Sequence, residues 1–157
     1  MRVPLIEQVK IQAQVLVPLL RTLQAELGEE RANALVRESL GALYRQFGEV
    51  WWRAQRASEP GERLAMTFER FAAGDALDYE VLEQTADTFE VNVTGCRYAR
   101  FYQEIGAPEL GFLLTCSADF TYAEGFGGDV QLTRTKTIMQ GADHCDFRYR
   151  LGRKKEQ

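Results

Sequence analysis

The chain has 157 residues, of which 45% are hydrophobic and 27% charged, and its formal net charge is −4. These values are typical of a folded globular protein and predict one domain over 1–157, with a core large enough to enclose a pocket. They argue against nucleic acid as the main partner, and no apolar run approaches the roughly 20 residues of a membrane helix.

Residues 1–75 are predicted to be helical because apolar residues recur at spacings of three and four. Pro4 suits the first turn of the first helix, and Gly28 suits its end. Further helices are predicted over 29–55 and 62–73. The buried stripe of the second helix is predicted to contain Val36, Leu40, Leu43, Tyr44, Phe47 and Trp51.

Over residues 76–152 the apolar period changes to two, which is typical of strands. An antiparallel hairpin is predicted over 77–93, and two more strands over 130–139 and 145–149. The segments between them are predicted to be helical, over 95–115 with an interruption at 106–108, and over 109–124. The predicted fold class is therefore α+β, with a helical N-terminal half followed by a four-stranded antiparallel sheet packed with helices.

The N-terminus carries charges at Arg2, Glu7 and Lys10 and has no signal-peptide core, which predicts a cytoplasmic protein. In that reducing compartment the three cysteines are expected to be free thiols. A basic cluster near the C-terminus is expected to be solvated surface rather than an anion site. The cluster consists of Arg148, Arg150, Arg153, Lys154 and Lys155.

Cys96 stands where a predicted strand ends and a predicted helix begins. A helix N-terminus stabilises negative charge and lowers the pKa of a thiol, and thiolate is the nucleophilic form of cysteine. Cys96 is therefore a candidate nucleophile. The alternative is a buried structural cysteine, since cysteine is among the most buried residue types.

His144 is the only histidine in the chain, so it is the one side chain that ordinarily titrates near neutral pH. Asp143 and Asp146 flank it, and either can orient its ring. A cysteine and a histidine oriented by a carboxylate form an activated thiol, so we expect Cys96 and His144 to meet in one cavity. A histidine bonded only to turn backbone is the alternative.

Two further acids, Asp119 and Glu124, are candidates for general acid or base, although solvated surface carboxylates are common. Arg134 and Arg148 are candidates to bind a substrate carboxylate, or else they pair with charges on neighbouring strands. A zinc site made by Cys96, Cys116 and His144 is conceivable. The chain has no CxxC or HxxxH motif, however, so we predict no metal and no other cofactor.

Several segments of the second half resemble the L-2-amino-thiazoline-4-carboxylate hydrolase family. The most specific of them runs from Gly141 through Ala142-Asp143-His144-Cys145-Asp146-Phe147 to Arg148. The others are Cys96-Arg97-Tyr98-Ala99-Arg100-Phe101-Tyr102, Gly106-Ala107-Pro108-Glu109-Leu110-Gly111, Cys116-Ser117-Ala118-Asp119-Phe120, Ala123-Glu124-Gly125-Phe126 and Arg134-Thr135-Lys136-Thr137.

This resemblance implies ring opening of a 2-aminothiazoline acid. The family's motif residues fall on Cys96, Cys116, Asp119, Glu124, Asp143, His144, Cys145 and Asp146. The resemblance does not assign their individual roles. From the residue types and positions, catalytic roles are expected for Cys96, His144, Asp143, Asp119 and Glu124. Substrate-binding roles are expected for Cys116, Cys145, Asp146, Arg134 and Arg148.

Three hypotheses for function follow. In the first, Cys96 thiolate, or a water activated by His144, attacks the amidine carbon of a small ring, and Asp119 or Glu124 protonates the departing nitrogen or sulfur. In the second, the protein is a non-catalytic sensor of a small acid or a metal. In the third, the helical half binds a protein partner. The expected partner is a small molecule, and a homo-oligomer is left open.

Overall fold

The computed structural model describes residues 2–152, so Arg153, Lys154 and Lys155 of the basic cluster lie outside it. The architecture is α+β, as predicted. The helices are α1 (Leu5–Leu27), α2 (Glu29–Ala54), α3 (Pro60–Ala72), α4 (Arg97–Glu104), α5 (Pro108–Gly111), a π-helix (Phe112–Cys116), α6 (Ala118–Glu124) and a 3₁₀ turn (Ile138–Gln140). The strands are β1 (Leu77–Gln84), β2 (Thr88–Cys96), β3 (Val130–Thr133) and β4 (Cys145–Leu151). No helix in the described part of the chain is long and apolar enough to cross a membrane.

The four strands form one antiparallel sheet in the order β1-β2-β4-β3. Its buried face is built from directly paired residues of β2 and β4, in which Phe89 lies opposite Tyr149, Val91 opposite Phe147, and Val93 opposite Cys145. Alternation along each strand places these side chains on one face. Helix α3 contributes Leu64 and Phe68 to the same core.

Helices α2 and α6 approach each other through two glycines. A Cβ added at Gly48 would lie 2.0 Å from the carbonyl oxygen of Tyr122, and one at Gly125 would lie 2.2 Å from that of Arg45. Both neighbours are backbone atoms, so neither position accepts a side chain without moving a helix. By contrast, a Cβ at Gly41 would meet only the side-chain methyl of Thr121, at 3.4 Å.

The prediction that six apolar residues form the buried face of α2 is wrong for two of them. Leu43 is 40% exposed and Phe47 is 49% exposed, whereas the buried residues of this helix are Ala32, Gly41 and Gly48. The reason is that α2 packs through its small residues, which allow close contact, and this leaves large apolar side chains beside the contact accessible.

The strand predicted over 130–139 is shorter than expected, because β3 ends at Thr133. Beyond it the backbone N–H groups of Thr135 and Lys136 donate to the Asp146 carboxylate, at 2.8 and 2.9 Å. Those donors are thus satisfied by a side chain instead of by a neighbouring strand, so the segment leaves the sheet despite its β-branched residues.

Candidate functional site

A cavity of about 310 Å³ lies between the buried face of the sheet and the helices. Residues from α1, α2, α3, α6, the π-helix, β2 and β4 line it, and most of the lining is apolar or aromatic. The polar groups that face it include three thiols, three phenols and one carboxyl group. They belong to Cys96, Cys116, Cys145, Tyr44, Tyr98, Tyr122 and Asp119.

Cys96 is the N-cap residue of α4, so the predicted junction of strand and helix is confirmed. Its Sγ accepts a hydrogen bond from the backbone N–H of Ala99 at 3.4 Å. The expected fall in pKa does not follow, however. Burial raises the pKa of the Cys96 thiol to about 11 and outweighs the helix N–H groups that lower it. Cys96 is therefore a neutral thiol at pH 7.

The other two thiols have the same character. Burial raises the pKa of Cys116 well above its ordinary value, and burial also raises the pKa of Cys145. The negative charge of Asp119, which lines the same cavity, adds to the rise at all three cysteines. All three are free thiols, as predicted.

The most buried charges of the cavity are the ion pair Asp119–Arg134. Arg134 Nη1 lies 2.7 Å from Asp119 Oδ2, and the Arg134 side chain is only 3% exposed. Its guanidinium packs 4.9 Å from the ring centre of Phe120 and 5.3 Å from that of Phe147. Desolvation raises the pKa of Asp119 to about 6, although Arg134 lowers it by charge and by hydrogen bonding. Asp119 thus titrates near neutral pH.

The π-helix supplies a further acceptor to this pair. In it the N–H of Ser117 bonds to the carbonyl of Phe112, five residues back, at 2.8 Å. The carbonyl of Cys116, the last residue of this π-helix, accepts from Arg134 Nη1 at 3.1 Å. Single π turns of this kind are frequent at functional sites.

Two of the phenols in the cavity, those of Tyr98 and Tyr122, form hydrogen bonds to the protein. Neither residue was among those predicted for the site. Tyr98 Oη donates to the carbonyl of Phe71 at 2.8 Å, and Tyr122 Oη accepts from Arg70 at 3.3 Å. Burial raises the pKa of Tyr122 to about 12, so it remains protonated. The signal for Tyr122 was its spacing of three from Asp119, which places both on one face of α6.

His144 is not among the described residues that line the cavity, so the expected meeting of Cys96 and His144 does not occur. Instead, His144 Nδ1 lies 2.6 Å from Oδ1 of Asp143, whose side chain is 90% exposed. Both residues stand in the turn before β4. Glu124 is also exposed and pairs with Arg45 at 2.6 Å.

Asp146 and Arg148 bond to the protein itself. Desolvation of Asp146 is outweighed by its hydrogen bonds from Thr135 and Lys136, so its pKa is lowered. Arg148 donates to the carbonyl of Val91 at 3.0 Å and to Asn92 Oδ1 at 2.8 Å. Neither side chain is among the described residues at the cavity wall. Asp146 instead holds the segment that follows β3, and Arg148 holds β2.

No group of three or more His, Cys, Asp or Glu side chains within residues 2–152 is arranged to hold a metal ion. The trio of Cys96, Cys116 and His144 in particular does not form one. Two of its members face the cavity and the third lies in the turn before β4.

Comparison with known proteins gives two findings. The model of a family described as L-2-amino-thiazoline-4-carboxylic acid hydrolase matches residues 8–149. No curated protein matches the sequence.

Among solved structures, the chain is similar to the crystal structure of the phenol-responsive sensory domain of the transcription activator PoxR with phenol. The TM-score is 0.55 at 12% sequence identity, over 87% of this chain and 73% of that one. At this identity the likeness concerns the fold alone.

Proposed function

Because the chain belongs to the L-2-amino-thiazoline-4-carboxylic acid hydrolase family, we propose that it binds a small ring compound in the central cavity and opens the ring by hydrolysis. The observation that carries this proposal is the half-buried Asp119 side chain, since desolvation in a cavity with mostly apolar lining raises the pKa of its carboxyl group to about 6. A general acid–base group is most effective when its pKa lies near the working pH.

The proposed reaction begins with a water molecule held against Asp119. As the water oxygen bonds to the amidine carbon of the ring, Asp119 takes a proton from the water. The carbon–nitrogen or carbon–sulfur bond of the ring then breaks, and Asp119 returns the proton to the departing atom. Arg134 holds the carboxylate in place through the contact of 2.7 Å.

Water is the proposed nucleophile because burial keeps the nearby thiols protonated. Cys96 attack is the alternative. Its proton then passes to Asp119 as the sulfur–carbon bond forms, the ring bond breaks with return of that proton to the departing atom, and a water molecule finally cleaves the new sulfur–carbon bond and restores the Cys96 thiol. His144, Asp143 and Glu124 take no part in either route, since they lie outside the cavity lining. Cys116 and Cys145 contact the ring as neutral thiols in both.

The experiment is a turnover assay with 2-aminothiazoline-4-carboxylate. We expect the wild type to open the ring, Asp119→Asn to lose activity by a factor of about 100 or more, and Cys96→Ser to retain most of it. Loss in both variants would replace the water route by cysteine attack. No turnover by the folded wild type would remove the hydrolase proposal.

A second candidate function is a non-catalytic sensor of small ring compounds. The raised pKa values of the thiols favour it, because a protonated cysteine can contact a ligand but is a poor nucleophile. The fold shared with a phenol-responsive sensory domain points the same way. Thermal stabilisation by a ring compound without any turnover would support the sensor, since a ligand that binds only the folded state raises its stability.

A further inference from the structure

A groove of about 640 Å³ adjoins the central cavity at the N-terminal end of α1. Three residues, Leu5, Gln8 and Arg70, line both the groove and the cavity. The two spaces therefore meet at these side chains, between the start of α1 and the end of α3. This boundary offers a route by which a small molecule reaches the cavity from solvent.

Arg70 has no carboxylate partner within ion-pair distance among residues 2–152. Its guanidinium lies 4.8 Å from the ring centre of Trp51 and donates to Tyr122 Oη at 3.3 Å. These contacts hold the side chain without neutralising its charge. Arg134, in contrast, is already paired with Asp119 and bonded to the carbonyl of Cys116.

The charges around the boundary favour an anion although the whole chain carries a net charge of −4. The charged residues in the described lining of the groove are Arg2 and Arg70, both positive. In the cavity the charges of Asp119 and Arg134 cancel, which leaves that of Arg70. A guanidinium with free N–H groups binds a carboxylate well because its planar donors match the two oxygens.

We propose that the groove is the mouth of the cavity and that Arg70 is a specificity residue that binds the acid group of the ring compound. The ring then lies inside, beside Asp119 and the thiols, while its carboxylate stays at the mouth. This inference rests on the proposed function, since it names the residue that selects ring acids over neutral rings at the same site.

The test uses two stable aromatic probes, 2-aminothiazole-4-carboxylate and the neutral 2-aminothiazole, with dissociation constants measured by calorimetry. We expect Arg70→Gln to weaken the acid by about tenfold or more and to leave the neutral ring within about twofold. Arg70→Lys keeps the charge and is expected to restore part of the loss.

The matched control is Arg63→Gln. Arg63 stands on the same helix with its guanidinium 4.9 Å from the ring centre of Trp52, but it is not in the described lining of either space. We expect this variant to bind both probes as the wild type does. A thermal melt of each variant verifies that it is folded.

The outcomes separate the two proposals. Equal affinity of wild type and Arg70→Gln for the acid would overturn the role of Arg70 and leave cavity binding intact. Equal loss for both probes would also overturn it, because the effect would then not depend on the carboxylate. If the wild type bound neither probe, the cavity itself would be excluded as the ring site and both proposals would fall.

Discussion

Two regions of the molecule each hold a carboxyl group in contact with a basic side chain, and they differ in nearly every other respect. Asp119 and Arg134 lie in the cavity wall, where their side chains are 23% and 3% exposed, whereas Asp143 and His144 lie in the turn before β4, where theirs are 90% and 25% exposed. Desolvation raises the pKa of Asp119, while the hydrogen bond and charge of His144 lower that of Asp143. Burial, more than the identity of the pair, decides which carboxyl group can exchange a proton near neutral pH.

The largest effect is expected from removing the buried cation. Arg134→Met leaves Asp119 desolvated without its partner, so we expect a loss of about 3–5 kcal/mol in the free energy of unfolding at pH 7. The measurement is urea unfolding. The loss should shrink near pH 4, where Asp119 is protonated and no longer needs a counter-charge. A loss that does not vary with pH would show that packing, and not charge, holds the pair.

Stability should depend on pH with the sign set by Asp119. Its pKa in the folded state is raised from 3.8 to about 6, so the folded protein binds more protons than the unfolded chain between these values. The contribution is present at low pH and is lost as pH rises from about 4 to about 6, by on the order of 3 kcal/mol. Asp143 acts in the opposite direction, because its pKa is lowered.

Unfolding of Asp119→Asn and Asp143→Asn across pH 4–7 separates these two contributions. We expect Asp119→Asn to remove the fall in stability between pH 4 and 6, and Asp143→Asn to leave that fall in place. If the fall in stability were instead removed by Asp143→Asn and kept in Asp119→Asn, the exposed pair would control the pH dependence and desolvation of Asp119 would have little effect.

The thiols extend the comparison to reactivity. With a pKa of about 11 in place of about 9, Cys96 has a thiolate fraction about a hundredfold lower at pH 7 than an unperturbed cysteine. We expect slow alkylation by iodoacetamide in the folded protein and fast alkylation in urea, measured by mass spectrometry of the labelled peptides. Fast labelling of Cys96 in the folded state would restore the thiolate mechanism.

The smallest effects are expected in the turn before β4 and at the surface of α6. His144→Gln and Glu124→Gln remove contacts that are partly or fully solvated, so each should change the free energy of unfolding by about 0.5 kcal/mol or less. Each should also leave turnover within about twofold of the wild type. A loss of activity in His144→Gln with an unchanged melting temperature would show that the imidazole takes part in the reaction.

The sequence predicted the fold better than it predicted the site, and particular residues show why. The 3.6 and 2.0 periods of apolar residues depend on local geometry, so α1, α2, β2 and β4 were found close to their true limits. The end of β3 depends on Asp146, a residue more than ten positions away that captures two backbone donors. No local pattern carries that information.

The candidate site divides in the same way. Cys96 was found because a strand followed by a helix is visible in the sequence, and its position at that junction is confirmed. Its pKa was wrongly expected to fall, because burial in a three-dimensional cavity is not visible there. His144 was favoured as the one histidine beside two acids, yet neighbours along the chain do not determine whether a side chain reaches the cavity.

The contact between Gly48 and Gly125 has a consequence for how this cavity can change. Helix α6 carries Asp119 and Tyr122, and α2 carries Tyr44, so the spacing between the two helices sets the span between the acid and one phenol. Because the two backbones are in contact there without intervening side chains, the distance between the helices is fixed. Replacement of wall residues such as Phe47 or Leu114 can therefore reshape the space offered to a ligand while the proton-carrying group keeps its distance from α2.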